Sequence, residues 1–107
     1  MPIGDSAWLF FDKLPAAICE RVVTGYSQSE SREEAASWAM CIHPNISSFS
    51  VDQLKTILTT SLEKPKTHVD YHLARMTFAI RKADAATKDQ LEPLLIAVNK
   101  AIDELPL

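Results

Sequence analysis

Residues 67–83 read THVDYHLARMTFAIRKA, and the fold turns on how this stretch is read. Val69, Leu73, Met76 and Ile80 recur at spacings of four, three and four. That is the repeat of one face of an α-helix, and no alternation of period two competes with it. The spacing predicts a helix over about 68–83 with Thr67 as its cap. Successive helical residues are rotated by about 100°. With Val69 at the origin, Tyr71, Arg75, Phe78 and Lys82 fall at about 200°, 240°, 180° and 220°. They form a second stripe opposite the apolar one. Aromatic rings alternating with Arg and Lys match the composition of protein-interface anchors. They are equally what a helix packed on both sides shows when its cations reach outward along their stems.

The pattern repeats on either side of this stretch. Val51, Leu54, Leu58 and Leu62 make a second apolar stripe, opened by Ser50 and Gln53 at capping-box spacing and ended by Pro65. Ser31 and Glu34 have the same spacing, before a stripe of Ala35, Trp38, Ala39 and Ile42 that Pro44 stops. Residues 44–49 read as a loop. Pro15 suits the first turn of a helix over about 16–26, with Ile18, Cys19, Val22, Val23 and Tyr26 inward and Gly25 near its end. Asp5 and Ser6 can cap a short helix running to about Lys13. Thr87 and Gln90 open a last helix with Leu91, Leu94, Leu95, Val98, Ile102 and Leu105 on one face. Pro93 should kink that helix or move its start. Strand signals and turn dipeptides such as Asn-Gly do not occur. The expectation is an all-α chain, a compact bundle of five to six short amphipathic helices without a sheet, in one domain over 1–107.

Composition narrows the function classes. The chain has 107 residues, 47% hydrophobic and 23% charged, which is ordinary for a globular domain and unlike a disordered segment. Two glycines are too few for glycine-rich phosphate loops. The longest apolar runs, 7–11 and 94–98, fall far short of the ~20 residues that span a bilayer. The first residues lack the basic start and apolar stretch of a secretory signal. Net charge is −3. Its distribution is uneven: Lys64, Lys66, Arg75, Arg81 and Lys82 stand against Asp70 alone, between two acidic flanks. Such a segment is a solvated face or a site for an acidic partner. Two cysteines, Cys19 and Cys41, are expected as buried reduced thiols without a catalytic role, which points to the cytoplasm.

Chemical motifs are weak. His68 and His72, four apart, could share a metal with Asp70, Cys41 or His43 as third ligand. The run His-Val-Asp-Tyr-His lacks the glutamate of the metalloprotease signature, so no metal site is expected. Surface or capping histidines are the plainer reading. Cys19 or Cys41 with His43 resembles no cysteine-enzyme signature. Glu30, Glu33 and Glu34 suit a helix N-terminus through its dipole. A helix-turn-helix can be drawn over 51–82 with 61–66 as its turn, which keeps nucleic acid as a runner-up partner. Trp8, Leu9, Phe10 and Phe11 circle a helix completely, so one flat core cannot bury all four. They are expected as a plug among neighbouring helices or as a homodimer contact. The leading expectation is a small non-enzymatic protein that binds another protein without a cofactor, as an inhibitor, immunity-type protein or adaptor does. Its binding residues are expected to be Tyr71, Arg75, Phe78 and Lys82.

Overall fold

A computed structural model describes residues 13–105. The expected helix to Lys13 and the quartet Trp8, Leu9, Phe10 and Phe11 lie outside the described residues, and so does the homodimer contact expected there. Within 13–105 the chain is all-α, as the periodicity predicts, with no strand among the described residues. The elements are α1 (Ala16–Gln28), α2 (Arg32–Ile42), a 3-10 segment (His43–Ser48), α3 (Val51–Glu63), α4 (Pro65–His68), α5 (Tyr71–Arg81) and α6 (Ala85–Asp103). The principal packings pair α3 with α6, α1 with α2, and α5 with both α6 and the 3-10 segment.

Local chemistry sets the boundaries. Ser50 and Gln53 form the full capping box: Gln53 N–H donates to Ser50 Oγ at 3.1 Å and Ser50 N–H to Gln53 Oε1 at 2.8 Å. Ser31 Oγ accepts from Glu34 N–H at 3.1 Å. Four boundaries differ from the sequence reading. The helix predicted over 68–83 starts at Tyr71, because Asp70 rather than Thr67 caps it, accepting from Leu73 N–H at 3.0 Å. Val69 and Asp70 are extended, and Thr67 belongs to the separate four-residue helix α4. Asp84, not Thr87, caps α6, accepting from both the Thr87 N–H (2.8 Å) and hydroxyl (3.0 Å). That helix runs through Pro93 instead of starting near it. Residues 44–49 are mostly 3-10 helix rather than loop. Gly25 lies inside α1, which continues to Gln28. Trp38 explains the glycine: a Cβ at Gly25 would meet the indole at 2.2 Å.

The core follows the predicted stripes. Leu54, Ile57 and Leu58 of α3, Leu73, Met76 and Ile80 of α5, and Leu91, Leu95 and Val98 of α6 are buried together with Cys19, Val22, Tyr26, Ala35, Ala39 and Ile42. Val69 is buried too, although it precedes α5. One polar network crosses this core. Tyr26 Oη donates to Ser61 Oγ at 2.9 Å, and Ser61 in turn donates to the Ile57 carbonyl at 2.9 Å. His68 Nε2 donates to the Tyr26 carbonyl at 2.7 Å, while its Nδ1 meets the Thr67 hydroxyl at 2.8 Å. His68 is therefore a buried core histidine and not the surface or capping residue expected. Arg32 reaches the Val69 carbonyl at 3.1 Å and ties α2 to the break before α5. No described helix is long and apolar enough to cross a membrane.

Candidate functional site

The two stripes of α5 separate cleanly. Leu73 and Met76 expose nothing, whereas Tyr71 is 64% exposed and Phe78 61%. Arg75 and Lys82 are exposed beside them. Lys82 lies one residue past α5 but keeps right-handed helical angles, and its N–H bonds back to the Phe78 carbonyl at 3.1 Å. It therefore stays in register with the stripe. Met40 and Ile96 are also exposed, but only α5 sets two large apolar side chains on one outer face among the described residues.

Each ring carries a cation four residues on. The Arg75 guanidinium carbon sits 4.9 Å from the centre of the Tyr71 ring, and Arg75 Nη2 donates to Tyr71 Oη at 2.7 Å. Lys82 Nζ sits 4.9 Å from the centre of the Phe78 ring. A cation over a ring at an exposed site is worth about 0.5–1 kcal/mol. These pairs restrict the rotamers of the four side chains on the surface of α5. Arg81, on another side of the helix, ion-pairs with Glu92 of α6 at 3.7 Å.

The stripe borders a surface trough. A hollow of about 430 Å³ is lined by His43, Tyr71, Ala74, Arg75, Phe78 and Ala79. A second, of about 380 Å³, shares His43, Phe78 and Ala79 with it and continues to Lys82 along Pro44, Ile46 and Ser47. Among the described residues no carboxylate lines either hollow. A third hollow, on the α1–α2 side, is lined by Trp38, Gly25 and a mixture of polar groups that includes both Glu20 and Arg21. The trough beside α5 is thus apolar at its floor and cationic at its rim.

His43 supplies the far wall, and its position is set by the end of α2. Pro44 has no N–H to continue the helix. The chain tightens into the 3-10 segment, and Asn45 Nδ2 takes the freed Cys41 carbonyl at 2.9 Å. This turns His43 onto α5, where its ring stacks on His72 with centroids 6.0 Å apart and planes 11° apart. Tyr71 meets His72 edge-on at 6.0 Å. Burial first, then the Arg75 and His72 charges, hold the His43 imidazole below its ordinary value. His72 Nδ1 is buried with no hydrogen-bond partner.

The other candidate chemistries are not assembled. His68 and His72 do not share a helix face, because extended Val69 and Asp70 lie between their helices. Among the described residues no group of three or more His, Cys, Asp or Glu could hold a metal ion. Residues 61–66 are not the turn of a helix-turn-helix, since α3 runs to Glu63 and α4 opens at Pro65. Both cysteines are free. Cys19 is buried, with its thiol 3.4 Å from the Ser48 carbonyl, and burial pushes its pKa up, away from thiolate reactivity. Cys41 is exposed, contrary to the expected burial, because it falls on the outer side of α2 away from Ala39 and Ile42. The structure brings the sequence-named Tyr71, Arg75, Phe78 and Lys82 together on one exposed face, and adds beside them His43 and its stacking partner His72, which the sequence offered only as metal or base candidates. No protein-family model, curated protein or solved structure matches the chain.

Proposed function

We propose that this chain is a small non-enzymatic binding protein, of the inhibitor, immunity-type or adaptor kind, that occupies a surface of another protein with the outer face of α5. One observation carries the reading: Tyr71 and Phe78 stand more than three-fifths exposed on a helix whose opposite face is sealed in the core. Aromatic anchors held by neighbouring cations beside an apolar trough are the composition from which interface hot spots are built. Among the described residues the trough offers cations and no carboxylate, so the complementary partner presents acidic groups around an apolar anchor. A reduced, cytoplasmic setting accords with the two free thiols.

The test is affinity purification from the native host with the full chain and with Y71A/F78A. The expected result is a protein captured by the first and lost with the second, while both melt at nearly the same temperature. Capture that survives the double substitution contradicts the reading. A nucleic-acid regulator is the second reading, favoured by the alternation of rings and cations along one stripe. Stacking bases would have to displace Arg75 and Lys82 from the ring faces they already cover. Binding whose affinity falls steeply with salt, to oligonucleotide rather than to protein, would establish that reading instead.

A further inference from the structure

Beside Tyr71, two elements bring nitrogen donors to the trough. His43 arrives from the 3-10 segment and Arg75 from α5, and both line the same 430 Å³ hollow. We propose that this end of the trough is a carboxylate-binding subsite: it takes an Asp or Glu side chain of the partner between His43 and Arg75, with uptake of a proton. The proposal rests on the reading of α5 as a partner face and adds to it the chemistry of the partner and the pH at which it binds.

Arg75 spends one N–H on Tyr71 Oη, and a guanidinium carries five. Among the described residues the only ion pair within 4.0 Å is Arg81 with Glu92, so Arg75 has no carboxylate of its own there. The groups that bear on His43 are all cationic or neutral. His72 stacks on it, Arg75 lines the same hollow, and Lys82 lines the adjoining one. A proton on His43 in the free protein is therefore opposed by burial and by its neighbours, with nothing anionic among the described residues lining the hollows to offset it. A docked carboxylate supplies the missing charge. Protonated His43 and Arg75 would each donate to it, and charge-assisted hydrogen bonds of this kind are about twice as strong as neutral ones. Tyr71 and Phe78 would hold the apolar neighbours of that carboxylate along the trough.

The sign of the linkage follows. Bound carboxylate raises the proton affinity of His43, so the complex binds more protons than the free protein. Affinity rises as pH falls through the His43 midpoint in the complex. It levels off below the lower midpoint of the free protein, where His43 is charged in both states. A gain of one pKa unit on binding corresponds to about tenfold in affinity across that window.

The experiment follows histidine Cε1–H, arginine Nε–H and Tyr and Phe ring signals of the full chain by NMR between pH 5 and pH 8.5. The probes are a blocked Glu-Leu-Glu-Leu-Phe-Glu peptide, inorganic phosphate and an oligothymidylate. The expected result is that the peptide shifts His43 and Arg75, raises the His43 midpoint, and binds about tenfold more tightly at pH 5.5 than at pH 8. H43N should remove the pH dependence, and R75Q, at an exposed position that leaves the fold intact, should weaken binding at every pH. A peptide that moves Tyr71 and Phe78 signals but leaves His43 and Arg75 unmoved overturns the subsite and leaves the face standing. Equal binding at both pH values, or shifts produced by phosphate or oligothymidylate and not by the peptide, also overturns it. Loss of partner capture in Y71A/F78A is a separate readout, so failure of the face and failure of the subsite are told apart.

Discussion

His68 and His72 are four residues apart in the chain and lead opposite lives in the fold. His68 is sealed in the core, edge-on to Tyr26 at 4.7 Å, with both ring nitrogens engaged. His72 lies half-buried with its ring stacked on His43 and its Nδ1 unpartnered among the described residues. The two tyrosines divide in the same way. Tyr26 is buried and its hydroxyl is fixed on Ser61, while Tyr71 is exposed and bonded only to a neighbouring side chain on its own helix. The Tyr26–Ser61–His68 network has its hydrogen bonds completed internally, which is what a structural role demands of buried polar groups. The α5 face holds donors and ring surface that nothing in the described chain completes. Residue type does not distinguish the two settings; the completeness of hydrogen bonding among the described residues does.

Substitutions on the two sides of that comparison should differ by several kcal/mol. The largest effect is expected for Tyr26→Ala, which removes a buried ring and strands Ser61; by analogy with buried aromatic truncations it should cost about 3–5 kcal/mol in denaturant unfolding. Gly25→Ala comes next. Its Cβ would press into Trp38, and overpacking of this kind costs about 1–3 kcal/mol. A smaller effect concerns pH. His43 is held below its ordinary value of about 6.5 in the folded chain, so the unfolded chain binds more protons as pH falls through that value. Stability present at neutral pH should decline toward pH 5, and H43N should flatten that slope in melting curves. The smallest effect on stability belongs to the α5 face. Tyr71→Ala with Phe78→Ala should change unfolding free energy by about 0.5 kcal/mol or less, as exposed positions do. Thiol reagents sharpen the contrast further: Cys41 should react at once in the native state, and Cys19 only on unfolding.

The apolar stripes were legible because helical burial is periodic and the caps are local. Ser31, Ser50 and Gln53 act within three residues of the groups they satisfy. The misplaced starts of α5 and α6 are failures of choice between neighbouring caps: Asp70 and Thr67, or Asp84 and Thr87, satisfy the same local rule, and the fold selects the aspartate in both cases. Gly25 looked like a stop signal because its reason is the Trp38 ring on another helix. The outer stripe of α5 was legible as a pattern, while its exposure was not, since a helix packed on both sides has the same spacing. His43 was beyond reach for a further reason. It joins the site through a turn at Pro44 and a stack on His72, which lies 29 positions away in sequence, and no local pattern encodes such a contact. Cys41 was misjudged because its apolar neighbours Ala39 and Ile42 face inward from α2 while it does not.

The central claim is that the outer stripe of α5 is a binding face and not part of the core. Thermal unfolding of the full chain against Y71A/F78A tests it most directly, before any partner is known. The account predicts melting temperatures that nearly coincide, with capture of the partner lost in the double variant. A double variant that loses several kcal/mol of stability or fails to fold would place Tyr71 and Phe78 in the core and contradict it.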